Sequence, residues 1–152
     1  MTVLDTFVAG WMPHRKALLE LLDCIGEDQL NYKPWEKAMT FSELALHITG
    51  STLFFIGIVK GEERDPNVEA PKARSLAELK QLAQEQTELT KSQLESITAE
   101  QLDQIVEFAG MKLPGSALLQ LAKDHEVHHK GQLFTYARTA GVENVPFFFK
   151  RS

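Results

Sequence analysis

Apolar residues recur every three or four positions over four long stretches of this chain, which is the spacing of one buried stripe along an α-helix. The first stretch runs from about Thr2 to Ile25, carries Phe7, Trp11, His14, Leu18, Leu21 and Ile25 on its stripe, and stops at Gly26. Pro13 falls inside it, and a proline within a helix removes a backbone hydrogen bond, so a kink or a restart is expected there. Glu27 to Met39 shows no sustained period and reads as a connecting loop holding Pro34 and an isolated Trp35. Thr40-Phe41-Ser42-Glu43 then reads as a capping box. It opens a helix to about Lys60 with Leu44, His47, Ser51, Phe54 and Ile58 on one face, closed by Gly61.

Glu62 to Arg74 is polar, contains Pro66 and Pro71, and has the length of an exposed crossover spanning a bundle. Ser75-Leu76-Ala77-Glu78 reads as a second capping box, starting a helix to about Ile97 with Leu76, Leu79, Leu82, Ala83, Gln86, Leu89 and Leu94 on or near its inner side. Thr98-Ala99-Glu100-Gln101 is a third such signal and starts a short helical turn. Ile105 to Pro114 alternates weakly around Gly110, as a small hairpin-like loop would. The last helix begins near Gly115 or Ser116 and reaches Ala140, ahead of the stop at Gly141 and an apolar tail of Phe147, Phe148 and Phe149. The expected architecture is all-α, a four-helix bundle with a long crossover connection, in one domain over residues 1–152.

The cluster His125-Glu126-Val127-His128-His129 changes the picture from fold to chemistry. At 100° per residue, Leu118, Ala122, His125, His129, Leu133, Tyr136 and Ala140 share a narrow stripe, and the two imidazoles at i, i+4 stack on one face. Lys123, Asp124, Lys130, Gly131 and Arg138 lie farther round, toward the expected solvent side, with Val127 an apolar exception. With His47 from another inward stripe, three neutral nitrogen donors are available, the number that metal sites with an open position use. Spacing alone leaves open the reading in which these histidines are core residues paired with buried polar groups. His14 is a rival for membership, and His128 could join His125 by an i, i+3 pairing. The string also matches HExxH, in which the glutamate is a general base for a zinc-dependent protease. Glu126 lies about 100° from His125, off the centre of the stripe, and no convincing set of strands accompanies the motif.

Bulk properties narrow the class. The 152 residues, 43% of them hydrophobic, suffice for one buried core. A net charge of −5, from 16 basic and 21 acidic residues, comes without a basic stripe, so nucleic acid is not an expected partner. No apolar run is read as reaching the roughly 20 residues of a membrane span. The one cysteine, Cys24, cannot close an internal disulfide, so a reducing, cytoplasmic setting is expected.

The segments Thr40-Phe41-Ser42-Glu43-Leu44-Ala45-Leu46-His47-Ile48 and His125-Glu126-Val127-His128-His129-Lys130-Gly131-Gln132-Leu133, with the ending Arg138-Thr139-Ala140-Gly141-Val142, closely resemble the DinB-like family of metal-binding helical bundles. The resemblance covers nearly the whole chain. It implies a four-helix bundle with one long crossover, often a homodimer, that holds a divalent metal, zinc or nickel, by a histidine triad. Carried over by motif, the triad is His47, His125 and His129. Lys130 stands where family members often have arginine. The activities known in the family, bacillithiol S-transferase chemistry and mycothiol-dependent isomerisation, imply a site that activates a thiol, or by the same logic water, toward a small-molecule substrate. His128, Glu43 and Tyr136 are candidates for a general base, and Trp35, Phe108 and Met111 for the lining of the mouth. The alternative is a noncatalytic bundle in which the metal joins helices or serves sensing or a stress response.

Overall fold

In the computed structural model, which describes residues 1–63, 65 and 67–151, four long helices carry the chain: α1 (Val3–Leu22), α2 (Phe41–Val59), α3 (Leu76–Glu95) and α5 (Gly115–Thr139). A short α4 (Ala99–Asp103) and a hairpin of β1 (Ile105–Phe108) and β2 (Met111–Pro114) lie between α3 and α5. Each of the first four helices starts at a hydroxyl cap. Thr40 Oγ1 accepts from the Glu43 amide while the Glu43 carboxylate accepts from the Thr40 amide, and Thr98 with Gln101 does the same. At Ser75 only half of the expected box forms: its hydroxyl accepts from the Glu78 amide, but the Glu78 carboxylate reaches back to the Arg74 amide at 3.4 Å.

Pro13 neither breaks nor restarts α1, which runs unbroken through it. Trp11 on one side of the proline and Arg15 on the other are both fully buried, so tertiary packing holds the helix across the lost bond. The hairpin turns through Ala109 (φ 50°) and Gly110 (φ 79°), and positive φ at both central residues matches the right-handed twist of a two-residue turn. Gly115, which starts α5, is a place for a bare backbone: a Cβ there would lie 2.4 Å from the Gln101 carbonyl oxygen.

The interior divides into two apolar clusters. One joins Ala17, Leu18 and Leu21 of α1 to Leu44 and Ile48 of α2, Leu79 and Ala83 of α3, and Leu133 and Ala137 of α5. The other joins Phe7 and Trp11 to Phe55 and Val59, Leu94, and Leu118 and Ala122. Along α2 and α3 the order is first cluster then second; along α1 and α5 it is reversed. Helices α2 and α3 therefore run parallel, and the connection between them must return along the bundle. A helix of about 20 residues is about 30 Å long, a distance that the segment between α2 and α3 covers in extended form. Pro66, one of its two prolines, lies outside the described residues.

Two faces differ from the periodicity. Phe54 and Leu89 stand 44% and 48% exposed, while Thr87 and Thr90 are buried. Helix α2 is long and apolar enough, by length and composition, to cross a bilayer, contrary to the reading of the apolar runs. Most of it is buried against α3 and α5, the position of a core helix.

Candidate metal centre

His47 stands on α2, and His125 and His129 stand one turn apart on α5, the helix pair with the most extensive contact in the bundle. The crossing turns all three rings toward one point. One nitrogen from each lies within 4.8 Å of the other two. Ring centroids are 5.1 Å apart for His47 and His125, 4.9 Å for His47 and His129, and 4.4 Å for His125 and His129, each pair edge to face. Edge-to-face rings aim nitrogens inward without stacking the planes. The three side chains are half-buried, so the point they face is reachable from outside.

His129 Nδ1 lies 2.7 Å from Gln132 Oε1. An amide oxygen only accepts, so this contact places the proton on Nδ1 and leaves Nε2 as the free donor, the kind of outer contact that fixes a ligand's tautomer and ring angle. Phe55 closes on His125 at 5.6 Å. Burial, then the neighbouring His129 and His47, push His125 down to about 4, and burial followed by His129 lowers His47. Both are therefore neutral at pH 7, the form that binds a metal.

The sign of the resulting acid sensitivity follows. Unfolded imidazoles take up a proton near pH 6.5, whereas folded His125 holds out to about 4, so the unfolded chain binds more protons between these values. For metal-free protein, the melting temperature is expected to fall as pH drops from about 6.5 toward 4. A His125→Phe variant should show a shallower fall. Equal slopes in the two proteins would reject this origin.

The other sequence candidates stand outside the group of three, although Tyr136 lines a cleft beside His129. His14 Nδ1 accepts from Lys130 Nζ at 2.7 Å, with its ring against Phe149, and takes no part in the cluster. His128 touches His129, ring to ring at 4.8 Å, but is outside the group of three. Glu43 is occupied as the α2 cap, and that backbone hydrogen bond lowers its pKa. Tyr136 is buried and meets Tyr32 edge to face at 6.1 Å; burial raises its pKa. Phe108 packs on Phe55, and Met111 stands opposite Phe108 across the hairpin.

Lys130 overturns the expected solvent face of α5, and Glu126, off the centre of the histidine stripe, is buried too. Lys130 is 2% exposed: its Nζ donates to His14 and to the Phe148 carbonyl, lies 5.4 Å over the Phe148 ring, and is pushed down to about 8 by burial. Glu126 is wholly buried. Its Oε2 accepts from Arg15 Nε (3.0 Å), and its Oε1 accepts from Arg15 Nη2 (2.7 Å), Trp11 Nε1 (2.9 Å) and Thr52 Oγ1 (2.9 Å). Arg15 Nη1 donates in turn to Thr87 Oγ1 at 3.0 Å. This network touches all four long helices and fills the gap between the two apolar clusters. It also decides the fate of the HExxH string: Glu126 turns away from the histidines into a bidentate ion pair, where it cannot serve as a base for water held by them. Arg15 was missed in the sequence, and the only available signal was an arginine one turn from Trp11 on an apolar stripe.

The DinB family profile matches residues 1–152 of the chain. The protein YjoA of Bacillus subtilis is 38% identical over 150 residues, covering 97% of both chains, and YrdA of the same organism is 26% identical over 148 residues, covering 91% of this chain and 84% of its own. Among solved structures, the DinB-like protein YjoA superposes with a TM-score of 0.81 at 39% identity, over 97% of this chain and 99% of that one. A DinB-like protein from Bacillus cereus, at 21% identity, shares the fold with a TM-score of 0.79 over 94% of this chain and 95% of its own. A helical bundle with these caps, this crossover and three convergent histidines, matched from end to end, belongs to the DinB family.

Proposed function

We propose that this chain is a divalent-metal-dependent enzyme acting on a small molecule, with His47, His125 and His129 as the metal ligands. The observation that carries the reading is the approach of three imidazole nitrogens, from two helices, to within 4.8 Å of one another. The donor set fits: three neutral nitrogens with no cysteine or carboxylate in the group suit zinc or nickel, and three protein ligands leave a coordination position free. When bound, such an ion supplies a Lewis acid that lowers the pKa of a thiol or water in that position.

The protein's own groups prepare the site. His47 and His125 are kept unprotonated, Gln132 orients His129, and Phe55 shields one side of His125 from water. The two apolar clusters and the Arg15–Glu126 network include none of the three histidines, which favours an enzymatic over a purely structural role for the metal. A thiol-dependent transfer or a hydrolysis is the reaction class. A cytoplasmic homodimer is the proposed setting, supported by the single cysteine and by Phe147 and Phe148, which stand largely exposed.

Elemental analysis of untagged protein should find about one zinc or nickel per chain. Stripping it with a chelator should lower the melting temperature by a few degrees and leave helical circular dichroism at 25 °C intact. Protein that carries no metal when purified, and takes up none on dialysis, would refute the proposal. Unfolding on chelation would instead favour a structural ion.

A further inference from the structure

A cleft of about 580 Å³ lies beside the candidate metal centre, sharing His129 with it, between α5 and the loop before α2. His129 and Gln132 line it together with Leu44, one turn before His47. The far wall is the loop before α2, which contributes Trp35 and Met39. That loop is held in shape: the Phe41 amide donates to the Tyr32 carbonyl (2.8 Å), the Ala38 amide to the Trp35 carbonyl (3.1 Å), and the Tyr32 hydroxyl to Thr139 Oγ1 on α5 (2.8 Å). The cleft is thus built in advance of any ligand.

Its chemistry is selective. Twelve residues line it; none is acidic, and Lys37 is the one ammonium. Thr135 and Thr139 spend their hydroxyl protons on carbonyls of α5 itself. Gln132 has its oxygen taken by His129, which leaves its amide N–H groups as neutral donors beside that ring, and Tyr136 adds a phenol. Trp35 is 63% exposed, whereas the other tryptophan, Trp11, is wholly buried. An indole left in water on a braced loop, facing a mostly apolar cleft of ligand size, is a stacking platform.

We infer that this cleft binds the non-reacting part of the substrate, and that this part is a flat, apolar, uncharged group of aromatic type stacked on Trp35. The inference rests on the metal reading above, because His129 joins the cleft to the reacting position. A flat group would bury the indole face and the Met39 thioether together. A cationic group would meet Lys37 and find no carboxylate to pair with.

The test uses protein loaded with cobalt(II) as a spectroscopic substitute, titrated with benzyl mercaptan and with 2-mercaptoethanol, and followed by visible absorbance. Benzyl mercaptan should bind at least about tenfold more tightly, the gain expected from aromatic stacking and burial. Trp35→Ala should bring the ratio of the two affinities toward one, and Trp35→Phe should restore most of it. Trp35 is a surface residue, so both variants fold, and cobalt content measured on each separates metal loading from cleft binding. Equal affinities in cobalt-loaded wild type, or a ratio unmoved by Trp35→Ala, would overturn the inference and leave the metal reading standing. A chain that takes up no cobalt removes both. Light scattering on the same samples closes the remaining case: a dimer that Trp35→Ala dissociates would give the cleft to a second copy of the chain and also overturn the inference.

Discussion

Glu126→Ala is expected to cost about 3–5 kcal/mol, because it strands the Arg15 guanidinium in the interior with no countercharge. For a domain of this size that is a fall of roughly 10–15 °C in melting temperature, and a large part of a total stability of about 5–15 kcal/mol. Arg15→Ala should cost a similar amount by stranding the carboxylate. The double variant Arg15→Met with Glu126→Leu removes both charges and fills the space, so it should lose much less than the sum of the two single changes. Glu126→Gln separates this reading from a protease-like one. A catalytic base replaced by glutamine leaves stability intact, whereas here the amide loses the ion pair and presents N–H groups to donors, so the melting temperature should fall by several degrees. Thermal melts decide the matter, and a single change that costs less than about 2 °C would show that the network is not holding the helices together.

The second large effect is on metal affinity. His125→Ala removes one of the three proposed ligands and should weaken binding by more than about a hundredfold, since changes to outer contacts alone cost 10–100-fold. Bound metal should fall from about one per chain to near zero after dialysis, and the rise in melting temperature on adding metal should vanish with it. His47→Ala and His129→Ala should behave alike. His14→Ala and His128→Ala should keep their metal, because one ring is tied to Lys130 and the other lies outside the group of three. A loss in His128→Ala as deep as in His125→Ala would redraw the site. Gln132→Ala should fall between these cases, at 10–100-fold, by freeing the His129 ring to rotate.

The two sets of variants act on neighbouring faces of one helix turn. His125 and His129 face α2, while Glu126, between them in sequence, is locked to α1 by Arg15 and Trp11 and to α2 by Thr52. The ion pair therefore sets the rotation of α5 about its axis, and with it the direction in which the imidazoles point. Because the charges are buried, the lock does not loosen with salt as a surface pair would.

The helices, their caps and the histidine face were all legible in the chain. Side chains three or four apart share a face whatever surrounds them, so the stripe holding His125 and His129 followed from spacing, and the hydroxyls of Thr40, Ser75 and Thr98 marked helix starts because the amides they satisfy lie two or three residues away. Periodicity also placed His47 on the inward stripe of its own helix. Its limit was the assumption that charge means solvent. Lys130 and Glu126 are ionic, so the helical wheel put Lys130 outside and Glu126 off the stripe, yet each is buried because its partner arrives from far along the chain, Arg15 for one and the Phe148 carbonyl for the other. A pattern within one helix reports orientation about that helix's own axis and carries nothing about which neighbour stands opposite. By itself the sequence determined the helices, their ends and the imidazole face; only tertiary structure decided that three rings meet at one point, that a buried ion pair turns them there, and that a braced loop leaves a cleft beside them, since each of these depends on contacts between groups that no local spacing relates.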